Sequence, residues 1–386
     1  MESTDQGAQL RATAGKLRDR LIDWLINAAY PFWSTRGMDL IHGGFHESFN
    51  LQGEPLDVPR RGRVQPRQIF AFSKARHLGW KGDSYQAVSH GLTYFLTRYR
   101  RTDGLFRTLV APDGSPLDQR AVLYDQAFAL LSFAAASPVL GPSFDLSGEA
   151  EQLRQAIIRD FHQQGGGFNS RTPPGLPLQS NPHMHLLESS LAWFQATGMP
   201  VWSAIADEIC NIALTKFIDP ATGALRECFD ENWAPAHGIT GRIVEPGHQF
   251  EWAFLLMSWQ GPWRDDVREA ARRLIDIGEL HGVYNGVAIN SLLDDFSIHD
   301  GAARLWPQTE RLRAAAISAR LIGNTRYWKI AVDAAAGLLR YFETSVPGIW
   351  QDQLLPNGEF GEVPVPAGNL YHIVGAIEEL DNLMKH

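Results

Sequence analysis

Gly44-Phe45-His46-Glu47-Ser48, leading to Gly53-Glu54-Pro55-Leu56-Asp57, returns 60 residues later as Gly104-Leu105-Phe106-Arg107-Thr108, leading to Gly114-Ser115-Pro116-Leu117-Asp118. Shorter pieces of the same pattern stand at Gly167-Phe168-Asn169, Gly223-Ala224-Leu225, Gly282-Val283-Tyr284 and Gly348-Ile349-Trp350, the last followed by Pro356-Asn357-Gly358. Glycine and proline at these offsets punctuate tight turns, so each piece predicts a short β-hairpin. After each hairpin comes an apolar stretch of helical period, headed by a residue that packing alone does not require. These heads are Arg67, Tyr124, His185, His248, Trp306 and His372, with successive gaps of 57, 61, 63, 58 and 66 residues.

A period of this size exceeds that of the common helical solenoids and leaves room for two helices and a hairpin in each unit. Six helical hairpins bury their apolar faces together if they close into a ring, with an outer layer of helices covering an inner one. Closure also removes the exposed ends that an open array must cap. The expected fold is therefore all-α, an (α/α)6 barrel with short β-hairpins at one end, and residues 1–386 form one domain. The inner-helix N-termini then converge on one cavity, and their dipoles favour negative charge there.

Composition narrows the partner. The 386 residues carry a formal charge of -8 and hold no basic run, which argues against nucleic acid or an anionic membrane surface. The expected partner is a small, neutral or weakly charged molecule. Cys210 and Cys228 are the only cysteines, too few for a disulfide framework or a structural zinc site, and fit a reducing compartment. Met1–Leu10 has neither the basic nor the apolar region of a secretory signal. The apolar window Ala127–Leu140 is shorter than the ~20 residues of a bilayer span and reads as a core helix. The expectation is a cytoplasmic protein, with monomer and homodimer both open. Twelve tryptophans suit both a packed core and sugar stacking.

The chemistry-bearing residues group at the helix heads. His185/Glu188 and His248/Glu251 share the spacing His-x-x-Glu, which puts imidazole and carboxylate on one helix face. A lone histidine is usually a hydrogen-bonded structural residue, and His183 reads that way. His248 and His372, each after a Gly/Pro-rich loop, read instead as functional. His183, His185 and His248 with Glu188 or Glu251 could form a metal site, but no compact HExxH or facial-triad spacing is present, so neither metal nor cofactor is expected. Arg67 reads either as an ion pair with Asp57 or Asp125 or as a fork for a developing oxyanion, and the second is preferred. Arg60, Arg61 and Arg63 read as a solvated or loop-anchoring cluster, with Arg63 able to reach the pocket mouth. Tyr124 and Trp306 suit ring packing, hydroxyl binding or stacking.

The segments GGFHES, RVQPRQIFAF with LGW, YDQAFAL, NPHMHLLES, EPGHQFEWAFLL, LWPQTE and YHIVGAIEEL span residues 43 to 380. In this order they resemble the N-acylglucosamine 2-epimerase superfamily, which includes mannose isomerase, sulfoquinovose isomerase and cellobiose 2-epimerase. The resemblance implies the same (α/α)6 barrel. It implies His248 and His372 as the acid/base pair, Arg67 at the reacting oxygens, and Tyr124, His185, Glu251 and Trp306 lining the sugar site. RVQPRQIFAF looks more like mannose isomerases than acylglucosamine epimerases, whose counterpart reads closer to Trp-Leu-Gln-Gly-Arg-Gln. The expected reaction is interconversion of a free aldose and its ketose, mannose and fructose, through an enediolate, with 2-epimerisation as the alternative. A rival from another class is a glycoside hydrolase using Glu251 with Asp125 or Glu188; a noncatalytic sugar-binding protein is the third reading.

Overall fold

The computed structural model describes residues 2–259 and 265–385. In chain order its helices are α1 (Glu2–Trp24), joined through a π-helical turn at Leu25–Ala29 to α2 (Tyr30–Thr35), then α3 (Val64–Ala75) and α4 (Ser84–Arg98). There follow α5 (Leu123–Leu140), α6 (Leu146–Phe161), α7 (Ser180–Thr197), α8 (Pro200–Ile212), α9 (Pro246–Ser258) and α10 (Asp265–Gly282). The last are α11 (Leu305–Ile322), α12 (Thr325–Leu339) and α13 (Asn369–Lys385).

Helices α3, α5, α7, α9, α11 and α13 pack each on the next, and α13 packs back on α3, closing an inner ring. They are buried on almost every side; in α9 every residue from Pro246 to Met257 is buried. Helices α4, α6, α8, α10 and α12 each cover the inner helix before them. Their apolar residues keep to one stripe, as with Val267, Ala271, Leu274, Ile275 and Gly278 of α10. The sixth outer place is taken by α1, which packs on α13 and α12. The architecture is the expected (α/α)6 barrel, but its sixth hairpin joins the first and last helices of the chain. Among the described residues, α5 alone is long and apolar enough to cross a membrane, and it stands in the inner ring, mostly buried.

The loop strands do more than form hairpins. Ser48–Phe49 pairs with Val365–Pro366, Arg60–Arg61 with Leu109–Val110, and Ala121–Val122 with Arg171–Thr172. Leu178–Gln179 pairs with Cys228–Phe229 and Ala303–Arg304 with Leu354 and Gln353. These pairs run between neighbouring units, so the loops form a collar around one end of the ring.

A buried amide fixes each loop to its helix. Gln65 holds both the N–H and the C=O of Phe45, at 2.8 Å each, and Gln126, Gln249 and Gln308 hold Phe106, Leu225 and Ala288 in the same way. In the third unit His183 replaces the glutamine, accepting from Phe168 N–H at 2.9 Å while its other ring nitrogen meets Gln179 C=O. Both its nitrogens are thus engaged, as its structural reading requires, and burial holds its pKa down to about 4.

These clamps set a register that the apolar runs do not. Arg67, Phe128, His185, Glu251 and Glu310 each lie two residues beyond a clamp, and His372 meets Glu310 at their level. Tyr124 and Trp306 lie two residues before their clamps and His248 one before its own, about one helical turn nearer the collar. The six heads aligned from sequence therefore belong to two stacked layers, because helical periodicity locates a helix while the clamp decides which residue of it faces the axis.

Candidate active site

The outer helices α4, α6 and α12 are capped by Asp83, Asp145 and Asn324, whose side chains accept from Gln86, Gly148 and Arg326 N–H. The inner helices α3, α5, α7, α9 and α11 have no side-chain cap. Their positive ends are left facing the collar, where they favour negative charge. Between collar and ring lies a cavity of 260 Å³ lined by Arg67, Tyr124, His185, His248, Glu251, Trp306 and His372. All seven residues singled out from sequence meet there.

The two candidate proton carriers sit against the Trp306 ring, His248 at 5.0 Å and His372 at 5.7 Å between ring centroids. Gly247 lets α9 come this close: a Cβ there would fall 2.5 Å from the Trp306 ring. The two imidazoles are held in opposite charge states. His248 Nδ1 meets the Glu227 carboxylate at 2.8 Å, with Glu245 at 3.9 Å. Burial opposes its charge, but Glu227 and Glu245 outweigh burial and push its pKa up to about 10. His372 is driven well below the usual imidazole value by burial and by the positive charges of Arg67 and Arg313. Its Nδ1 lies 2.7 Å from Glu310, so the tautomer that donates there leaves Nε2 as a bare lone pair.

Below them lies a network legible in the sequence only in fragments. Arg313 donates to Glu310 at 2.9 Å and to Glu188 at 3.0 Å; Glu188 also meets His185 Nδ1 at 3.3 Å and accepts from Tyr371. Burial favours the neutral form of Glu188, yet His185, Arg313 and Tyr371 hold its carboxyl well below the usual range. Burial keeps His185 neutral, with a pKa of about 4. Burial and the neighbouring Glu310 drive Glu251 well up, and its Oε1 has no hydrogen-bond partner. A neutral Glu251 can donate to a ligand oxygen. Arg67 donates to Tyr124 OH rather than to Asp57 or Asp125, lies 4.3 Å from the Phe128 ring, and keeps a buried Nε without a partner.

The rival sets are occupied. Asp125 accepts from Thr108 at 2.6 Å and sits 3.7 Å from Arg63, while Glu188 is committed to Arg313. Neither is a free partner for Glu251 in hydrolysis. Among the described residues two groups carry donor atoms close enough for a metal ion, His185/Glu188/Glu251 and Glu251/Glu310/His372. Arg313 already neutralises Glu188 and Glu310 and would repel a cation there. The metal set drawn from sequence also loses His183, which serves as a clamp. Arg60 anchors the collar through Asp39 and Gly43 C=O, as expected of that cluster.

Glu227, Glu245, Glu310, Arg313, Arg304, Asp352 and Asn369 were missed. Two of the carboxylates, Glu227 and Asp352, had a signal. Two residues after each loop residue held by a clamp stands a polar side chain: Glu47, Thr108, Ser170, Glu227 and Asn290. Each reaches the entry to the next inner helix, meeting Arg61, Asp125, Gln179 N–H, His248 and Arg304. Asp352 does the same for Asn369 at 2.5 Å.

Comparison with known proteins agrees with this fold. The sequence model described as N-acylglucosamine 2-epimerase (GlcNAc 2-epimerase) matches residues 43–376. A Rhizobium meliloti (strain 1021) protein named mannose-6-phosphate isomerase is 43% identical over 390 residues, covering 98% of this chain and 99% of the relative. A Thermobifida fusca D-mannose isomerase is 26% identical, covering 86% and 89%. Among solved structures, cellobiose 2-epimerase from Spirochaeta thermophila DSM 6192 superposes with a TM-score of 0.87 at 22% identity, covering 97% and 98%.

Proposed function

Because the chain belongs to the N-acylglucosamine 2-epimerase family, a family of sugar isomerases and epimerases, we propose that it interconverts mannose-type aldoses and their ketoses, with His372 as base and His248 as acid. The observation that carries this reading is the opposed charge of two imidazoles on one tryptophan: a bare His372 Nε2 and a charged His248. Isomerisation needs both at once.

His372 Nε2 takes the proton from C2 of the open-chain aldose while His248 gives one to O1, forming an enediol. His248, now neutral, takes the proton of the C2 hydroxyl as His372 returns its own to C1. C2 becomes the ketone, and both histidines regain their starting states. Arg67, with its unpartnered Nε, stabilises negative charge on the reacting oxygens, and a neutral Glu251 donates to a neighbouring hydroxyl. Tyr124 and His185 bound the sugar and Trp306 supplies a stacking face. No cofactor or metal has a role in these steps. Proton return to the opposite face of C2 would give the epimer instead; the isomerase names of the two relatives above favour return to C1. A cavity of 260 Å³, below the ~300 Å³ at which common ligand pockets begin, suits one monosaccharide better than a disaccharide.

The reading extends to one catalytic unit over residues 1–386, cytoplasmic, monomeric or homodimeric, whose partner is a small sugar and neither nucleic acid nor membrane. The relatives divide over phosphorylation, one being named for mannose 6-phosphate and the other for mannose. NMR of mannose and of mannose 6-phosphate incubated with the purified protein tests the reaction. Formation of the ketose is expected; the glucose-configured epimer without ketose, or no turnover of either sugar, would overturn it.

A further inference from the structure

Proton transfer leaves three cations of the cavity mouth unused: Arg61, Arg63 and Arg304. Each is held from behind. Arg61 gives its backbone N–H, at 2.9 Å, and its Nε to Glu47, and its two Nη groups make no hydrogen bond among the described residues. The Arg63 guanidinium lies 4.9 Å from the Tyr124 ring, and its Nε, 3.7 Å from Asp125, has no hydrogen-bond partner. Arg304 lies 5.4 Å from the Trp306 ring, with Nε on Asn290 at 3.1 Å and Nη2 on Glu245 at 3.3 Å; its Nη1 makes no hydrogen bond among the described residues.

All three line the one cavity, and Arg61 stands within electrostatic reach of Glu47 together with Arg63 and of Asp352 together with Arg304, which places them in one arc. The carboxyls between them, Glu47, Glu245 and Asp352, engage only part of these forks. Burial pushes Asp352 up to about 6 against the pull of Arg304, and burial also raises Glu47 and Glu245. Permanent guanidinium charge thus faces the cavity with its forks partly free, whereas hydroxyl groups would be served by amides and carboxyls. Planar donor forks match a phosphate monoester.

We propose that the Arg61–Arg63–Arg304 arc is a phosphate subsite, so that the enzyme favours a hexose phosphate whose phosphate sits at the collar while C1 and C2 lie between His248 and His372. The phosphate is on the end of the sugar remote from the reacting carbons. This inference rests on the isomerase reading and concerns a group that the reaction itself does not need.

The test compares kcat/KM for mannose 6-phosphate and mannose in the wild-type chain, Arg61→Ala and Arg61→Lys. The expected preference for the phosphorylated sugar falls about 10- to 100-fold in Arg61→Ala, the worth of one charge-assisted hydrogen bond, and returns in part in Arg61→Lys. Equal turnover of both sugars by the wild type, or a preference untouched by Arg61→Ala, overturns the subsite. Titration with inorganic phosphate followed by calorimetry separates the two readings. If neither sugar reacts, the isomerase reading fails, while phosphate binding that weakens in Arg61→Ala still supports the subsite and its absence in the wild type overturns it.

Discussion

Replacing Glu227 by Gln isolates the charge that keeps His248 an acid. The substitution keeps the side-chain shape but removes the carboxylate 2.8 Å from His248 Nδ1. A hydrogen bond to a charged group contributes about 1.5–3 kcal/mol, and one pKa unit corresponds to about 1.36 kcal/mol, so His248 should lose about 1–2 units. Glu245 remains 3.9 Å away and keeps part of the elevation. The sign follows from the role: the acid works while protonated, so activity is lost as pH rises through the His248 value of about 10. In Glu227→Gln the alkaline limb of kcat/KM should move down to about pH 8–9, by the same shift of about 1–2 units, with the acid side of the profile little changed. The assay is ketose formation from pH 6 to 11 by NMR, with circular dichroism at each pH to confirm folding. An alkaline limb that stays in place, or moves upward, in a folded variant would refute His248 as the proton donor.

The remaining predictions concern parts of the same construction. Gln126→Leu leaves the buried N–H and C=O of Phe106 unpaired and should cost about 2–5 kcal/mol, read as a lower melting temperature; an unchanged melting temperature would mean the clamp is dispensable. Gly247→Ala puts a Cβ where the Trp306 ring now lies, so the ring must shift; kcat/KM should fall by about two orders of magnitude in a folded protein, and full activity would deny Trp306 a place against the substrate. Prolonged treatment with EDTA should leave turnover unchanged, because Arg313 already fills the role of cation between Glu188 and Glu310; loss of activity restored by added zinc would reverse that reading.

The ring and its contents were legible in unequal measure. Turn glycines and apolar runs are local, and they located the six inner helices and six of the seven residues that share the cavity, Glu251 coming from its His-x-x-Glu spacing. Closure by α1 was not legible, because nothing in Glu2–Trp24 says which distant helix its apolar side will cover. Register was also hidden, since it depends on Gln65, Gln126, Gln249 and Gln308 reaching back more than one element. Glu310 and Arg313 sit three residues apart and read in sequence like a surface ion pair; only in the barrel do they become the buried support of His372 and His185. Glu227 could have been found by aligning the loops on the clamp, where it matches Glu47.

The central claim, that His372 removes the C2 proton, is tested most directly by deuterium wash-out from substrate labelled at C2, using mannose and its 6-phosphate in ordinary water. The wild-type chain should remove the label from C2 as ketose forms, part of it carried to C1 by His372 and the rest lost to water by exchange at His372, and a folded His372→Asn variant should remove none from either sugar. Wash-out by His372→Asn at the wild-type rate would contradict the account.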